Sequence, residues 1–353
     1  MSEPPTVLPE DTAFPEDTVL PEDAWLRDWL AAEGLQVGPA RTVTRIGGGH
    51  SNLTYGLSDG SGRTWVLRRP PPGELLASAH DVVREARVMR ALEETDVPVP
   101  AILSVRPDDH GVPWVLIQHI DGQVIDSMAA GQGLDPALRQ AVGPSMARTL
   151  ARIHAVDVDE VGLGDLASRA PYAARQLRRW ARQWEASYTR PLPELDRLTA
   201  RLSAAVPEQH EVRLVHGDFH IKNVITRDGS VIAVLDWELS TLGDPLADVG
   251  TLLAYWPHAG ELQAGDKASV STLPGYATRE ELVREYAAAS GRDVSTVGFW
   301  HVLGLWKVAI IAEGVLRRAV EQPGARSPAG TPSAEDVASL VDYAHRIADD
   351  SRI

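Results

Sequence analysis

The 353-residue chain has no cysteine, which excludes disulfides, thiol nucleophiles and thiolate metal sites. It has no uninterrupted apolar run of about 18 residues, the length a bilayer-spanning helix needs, and its N-terminus lacks the basic and apolar segments of a secretory signal. A cytoplasmic protein without membrane partners is the resulting expectation. Basic charge is also scarce: 34 Lys and Arg stand against 49 Asp and Glu, a net −15, which disfavours nucleic acid as a partner because phosphates need a basic footprint. Much of the imbalance sits at the start, where residues 1 to 33 hold nine acids against Arg27 alone.

What is present begins with a Pro-Glu-Asp triplet at residues 9, 15 and 21, a run too poor in apolar side chains to make a core. Residues 1–23 are therefore expected to form a flexible acidic tail. Asp23 then reads as the cap of a helix from Ala24 to Glu33, with Trp25, Leu26, Trp29 and Leu30 on one stripe and Gly34 closing it. The remaining chain is long enough for two lobes, each with its own core.

The densest chemistry lies between residues 214 and 248. Leu214 and Val215 read as a short buried strand, and His216 to Asn223 carry polar side chains of the turn type. Val231 to Leu235 is a β-branched apolar run that stops at Asp236, so Asp236 is delivered to the mouth of a sheet. Two carboxylates and one amide at this spacing suit phosphoryl transfer from a metal nucleotide. Asp218 would take the proton of an attacking hydroxyl, while Asn223 and Asp236 would offer oxygen to Mg²⁺. A rival reading uses His216, Asp218 and His220 as ligands of a hydrolytic zinc ion, but it leaves Asp236 without a role. Taken singly, each of these residues is more often a turn, cap or structural side chain.

The ordered set HGDFHIKN followed by LDWE resembles the catalytic loop and metal segment of the aminoglycoside phosphotransferase and choline kinase family, which shares the protein-kinase fold. The resemblance implies an α+β, bilobal architecture: a small N-terminal lobe with an antiparallel sheet plus helix (residues 24–120) and a larger, mainly helical C-terminal lobe (121–353). It implies ATP and Mg²⁺ as cofactors and a small-molecule hydroxyl as acceptor, with oligomeric state left open. His216 is assigned to holding the loop, and Asp248 in GDPLAD to capping or anchoring it. GGGHSNLTY, RQLRRWARQW and LDWELSTLGDPLADVG narrow the likeness to phosphotransferase domains fused to acyl-CoA dehydrogenases in some proteins. No stretch matches a flavin dehydrogenase, so that activity is rejected.

In the first lobe, residues 41–69 read as three short strands. Gly47, Gly48, Gly49, His50, Ser51 and Asn52 between the first two would let backbone N–H groups approach phosphate oxygens. Arg68 stands where the kinase pattern has a phosphate-pairing lysine, and Glu85 on the next helix is its candidate ion-pair partner. By resemblance, 118–122 is the hinge, with adenine bonded to the backbone of Gln118 and Ile120. Two departures from the protein-kinase pattern, Arg68 for lysine and Trp237-Glu238 after the metal aspartate, keep a catalytically degenerate binding protein as the hypothesis of another class.

After residue 122 the pattern turns helical. Pro136 to His154 carries a buried stripe, Trp300 to Ala319 reads as a long core helix, and a Pro, Gly and Ser-rich loop at 322–334 precedes a last helix. Ser168 to Tyr188 carries Arg175, Arg178, Arg179 and Arg182 on successive turns, most simply a solvated face. That face is the opposite of a polycation site. With the subgroup likeness it points to a hydroxylated metabolite such as a hydroxyacyl-CoA, its phosphates meeting Arg178, Arg179 or Arg182, and His220 stays open as a substrate contact.

Overall fold

The computed structural model describes residues 23–35, 41–46, 52–59, 61–71, 81–261, 269–321 and 331–353. The acidic tail, the glycine turn at 47–51 and most of the 322–334 loop lie outside them. The chain divides into two compact units, residues 1–83 with 103–117 and residues 84–102 with 118–353.

The first unit is built on helix α1 (Asp23–Ala32) and strands β1 (Arg41–Arg45), β2 (Leu53–Asp59) and β3 (Thr64–Arg69). Helix α2 (Val82–Leu92) and strands β4 (Ile102–Pro107) and β5 (Pro113–Gln118) follow in the chain. The five strands form one sheet in the order β1-β2-β3-β5-β4, with β1-β2 and β2-β3 antiparallel. The apolar stripe read from the sequence buries Trp25, Leu26, Trp29 and Leu30 against Tyr55, Leu57, Leu67 and Trp114. Indole rings pack within this core, with Trp25 5.0 Å from Trp29 and 6.3 Å from Trp114 between centroids. The Trp29 indole N–H donates to Ser104 Oγ at 3.0 Å, and Ser104 donates to Glu33 at 2.6 Å, so burying the indole leaves no orphan donor. Asp23 is the first helical residue rather than the residue before the helix.

The second unit adds β6 (Gln123–Val124), α3 (Met128–Gln132), α4 (Pro136–Ala155), α5 (Tyr172–Ser187) and α6 (Pro193–Ala204). It continues with β7 (Arg213–Val215), β8 (Val224–Arg227), β9 (Ser230–Val234) and β10 (Thr241–Gly243). Helices α7 (Leu246–Ala254), α8 (Arg279–Ser290), α9 (Val297–Glu321) and α10 (Ala334–Asp350) complete it. Helix α9 is long and apolar enough to cross a membrane, but 67% of its apolar window is buried inside the protein, as a core helix requires. It crosses α7 at Gly250 and Gly304: a Cβ on Gly250 would come within 2.2 Å of the Trp300 carbonyl oxygen.

One boundary differs from the sequence-based division. Helix α2, expected in the first lobe, packs as part of the second unit. Its side chains supply the reason: Arg84 donates to the Ser240 carbonyl at 2.6 Å and the Glu238 carbonyl at 3.3 Å, and Arg87 pairs with Asp165 at 2.5 Å. Glu93 accepts the Ile102 N–H at 2.7 Å. The other boundary falls at Gln118, at the start of the expected hinge.

Candidate active site

Two small antiparallel ladders in the second unit hold the polar residues. Strand β7 pairs with β10, with Leu214 opposite Leu242, and β8 pairs with β9 across an Asp228-Gly229 turn in which both residues have positive φ. The loop His216 to Asn223 leaves β7 and enters β8 through a 3-10 turn at Ile221–Asn223.

His216 is wholly buried and both ring nitrogens are committed. Nε2 lies 2.9 Å from the Leu235 carbonyl, and Nδ1 accepts the Asp218 N–H at 3.3 Å, so the proton is on Nε2. The ring packs 4.8 Å from Trp237. It therefore ties the loop to the chain just before Asp236 and cannot ligate zinc, which removes the hydrolytic reading. Gly217 follows at φ +86°, where a Cβ would lie 2.5 Å from the Leu239 carbonyl oxygen, so glycine is required here.

The Asp248 carboxylate, at the start of α7, accepts the backbone N–H of His216 at 2.6 Å and of Gly217 at 2.8 Å. His154 of α4 stands 3.3 Å away through Nε2, and its Nδ1 is 2.8 Å from the Tyr286 hydroxyl. Burial pushes the Asp248 carboxyl upward, but the His154 bond, the neighbouring rings and the Gly217 N–H outweigh it and hold it below the usual range. Burial pushes His154 down, so it sits as a neutral ring between phenol and carboxylate.

Asp218 is set among donors. Asn223 Nδ2 donates to its carbonyl at 2.9 Å and to its carboxylate at 3.2 Å, and His220 Nε2 lies 3.4 Å from the same carboxylate oxygen. Burial raises the Asp218 carboxyl, yet His220 beside it and the ammonium of Lys307 overcome it and bring it down to about 2, so it is ionised at neutral pH. His220 is held too: Nδ1 accepts the Lys222 N–H at 3.2 Å, and its ring is 4.7 Å from Tyr255. Because Asn223 turns both amide hydrogens toward Asp218, its Oδ1 makes no hydrogen bond to the described residues. Leu235 is braced from both sides, its N–H on the Asn223 carbonyl at 2.8 Å and its carbonyl on His216. The next residue, Asp236, is left-handed at φ +64°, an uncommon state for a non-glycine residue and one that tends to occur at functional sites. An amide oxygen and a carboxylate of adjacent strands form a hard donor set that fits Mg²⁺.

The other predicted residues fall in three groups. Gly47, Gly48, Gly49, His50 and Ser51 lie outside the described residues, and Asn52 is buried just before β2. On β3, Arg69 turns to the aromatic face, its guanidinium 5.1 Å from the Trp114 ring, so the pleat puts Arg68 on the opposite face. Glu85 is buried in the first turn of α2, in the other unit. The Gln118 N–H is spent on the Ala101 carbonyl at 2.9 Å, which corrects the expected hinge contact: of its backbone groups an adenine could use only the carbonyl. Ile120 is part-buried. On α5, Arg175 is bound to the Ser168 and Leu242 carbonyls, both at 2.7 Å, while Arg178, Arg179 and Arg182 are exposed. Arg179 alone of those three adds its charge to that of Lys307.

A family model described as the phosphotransferase enzyme family matches residues 42–293. The chain belongs to that family. Among curated relatives of this phosphotransferase chain, mouse acyl-CoA dehydrogenase family member 10 is 38% identical over 281 residues, 77% of this chain and 26% of the relative. Human acyl-CoA dehydrogenase family member 11 is 32% identical over 304 residues, 84% of this chain and 38% of the relative. The chain thus spans between a quarter and two fifths of these proteins. Of solved structures, a candidate aminoglycoside phosphotransferase from Ralstonia eutropha superposes with a TM-score of 0.74 at 28% identity, covering 92% of this chain and 98% of that one. A thermostable mutant of the aminoglycoside phosphotransferase APH(4)-Ia, in ternary complex with AMP-PNP and hygromycin B, gives 0.56 at 18% identity, covering 87% and 93%, and shows the shared kinase-like fold.

Sequence reasoning missed Arg84, His154, Tyr255 and Lys307. His154 lay in a stripe read as core, and Lys307 in a helix read as core. A charged residue inside an apolar helix was the one available clue to Lys307.

Proposed function

We propose that this phosphotransferase moves the γ-phosphoryl group of Mg-ATP to a hydroxyl of a small molecule, with Asp218 as the group that holds that hydroxyl. The observation that carries the reading is the pairing of Asn223 with Asp218: one amide points its hydrogens at the base and keeps its oxygen for a metal, while the Asn223 carbonyl accepts the N–H of Leu235, the residue before Asp236. Asn223 Oδ1 and Asp236 would hold Mg²⁺, which when bound offsets the charge of the phosphate oxygens. Asp218, ionised and fixed by His220 and Asn223, accepts a hydrogen bond from the acceptor hydroxyl and orients its oxygen. With its carboxyl near 2 it is a weak base, so orientation comes first and the proton follows late, as a loose transition state allows. In the first unit, Arg68 and the glycine turn are assigned to the nucleotide phosphates.

For the acceptor, likeness to acyl-CoA dehydrogenase family proteins and the exposed Arg178, Arg179 and Arg182 favour a hydroxylated metabolite that carries anionic groups, of which a hydroxyacyl-CoA is one, over a polycation. The deciding experiment is a labelled-ATP screen over hydroxyacyl thioesters, aminoglycosides, choline and homoserine, with Asp218→Asn as control. That variant should bind ATP normally and turn over at least about a hundredfold more slowly. Turnover equal to wild type would remove Asp218 from its role, and a wild type inert on every acceptor would favour a binding protein of the same fold.

A further inference from the structure

Lys307 is the least explained charge in the second unit. The chain uses arginine for 31 of its 34 basic residues and lysine only at 222, 267 and 307. From Val297 to Ala312, helix α9 carries no Asp, Glu or Arg, and Lys307 is its one charged side chain. Among the described residues its ammonium has no hydrogen-bonded or ion-paired partner and lies over the Trp180 ring, 5.6 Å from the centroid. That ring is itself fixed, since the Trp180 indole N–H donates to Gln176 at 3.1 Å, and Arg179 stands 6.0 Å from it. Burial pushes the ammonium down, while Asp218 and then Asp248 act to hold it charged. Gly304, one turn earlier on α9, packs on Gly250 and Ala254, and the next residue along α7, Tyr255, meets His220. His220 thus joins Asp218 to Tyr255 at the end of α7, and Lys307, one turn past the Gly304 crossing and against Trp180, lies within electrostatic reach of the same carboxylate.

A part-desolvated ammonium with only a ring face for company gains most from an anionic oxygen. We infer that Lys307 is a specificity-determining residue that receives an anionic group, carboxylate or phosphate, carried by the acceptor close to the hydroxyl on Asp218. The inference rests on the kinase reading for that hydroxyl, but not for the anion site itself. Such a site would also select against polycations, because Arg179 and Lys307 together would repel them.

The test uses the three lysines. Protein labelled with ¹³C at lysine Cε has one signal from each, and Lys222→Arg and Lys267→Arg variants assign that of Lys307 by elimination. Inorganic phosphate or glycerate at millimolar concentration should shift the Lys307 signal to saturation, whereas glycerol and 2-amino-1,3-propanediol at equal ionic strength should not. A response to phosphate alone identifies a phosphate ester as the acceptor class; a response to glycerate identifies a hydroxy acid. No Lys307 shift with either anion, or the same shift with all four compounds, overturns the inference. For an acceptor that is turned over, Lys307→Met should raise KM tenfold or more with kcat within threefold, and Lys307→Arg should restore it. An unchanged kcat/KM in Lys307→Met also overturns it. Saturable anion shifts in a protein without phosphotransfer would sink the kinase reading alone.

Discussion

Replacing Asp248 by asparagine removes one negative charge and one acceptor while keeping the shape, and the cost follows from the three donors it faces. Oδ1 takes the Gly217 N–H at 2.8 Å, and Oδ2 takes the His216 N–H at 2.6 Å with His154 Nε2 at 3.3 Å. Whichever way the amide turns, its NH₂ meets at least one of these N–H groups. Each lost bond to a charged group is worth about 1.5–3 kcal/mol, and a buried N–H left unpaired costs about 1–3 kcal/mol. A local loss of about 2–4 kcal/mol is therefore expected, within the usual 5–15 kcal/mol of total stability, so the protein should still fold. The lower figure corresponds to about a 30-fold rise in local opening. Hydrogen exchange followed by mass spectrometry on the peptide spanning residues 213–223 should show that increase, with the first unit unchanged. Exchange within twofold of wild type would refute the claim that Asp248 holds the loop.

Gly217→Ala should cost about 2 kcal/mol or more, because φ +86° disfavours a side chain and the new Cβ would lie 2.5 Å from the Leu239 carbonyl oxygen; a urea midpoint equal to wild type would contradict it. Asp236→Ala should bind ATP without any response to Mg²⁺ in calorimetry, and a retained metal dependence would show the ligand assignment to be wrong. Stability should fall on acidification below about pH 6.5, because His154 is pushed down by burial and His301 is pushed down to about 3, so both take up protons on unfolding. Asp244, raised to about 6, is protonated in the fold and releases its proton on unfolding, which opposes one histidine between about pH 4 and 6. The histidines, with His345 also held low, outnumber that one carboxyl, so the net effect of acidification is a loss of stability, and urea midpoints that stay level from pH 7 to 5 would count against it.

The sequence alone determined the parts of this protein whose signals are local. The β-branched run ending at Asp236 needed only the period and composition of five residues, and the His216 to Asn223 loop needed only its place between two apolar runs. The tryptophan stripe of α1 was legible for the same reason, since residues three and four apart must share a helix face. Tertiary structure decided what chain neighbours cannot. His154 reaches Asp248 across 94 residues, Arg84 reaches Ser240 across 156, and neither carries a local mark that separates it from a core or surface residue. Lys307 becomes part of the candidate site only because Gly250 and Gly304 let α9 close on α7, and because Trp180 of α5 offers its ring there. The pleat of β3 separated Arg68 from Arg69, and the arginines of α2 drew that helix into the second unit. Long-range packing fixes such placements through burial and hydrogen-bond satisfaction, which depend on residues far along the chain and leave no periodic trace in it.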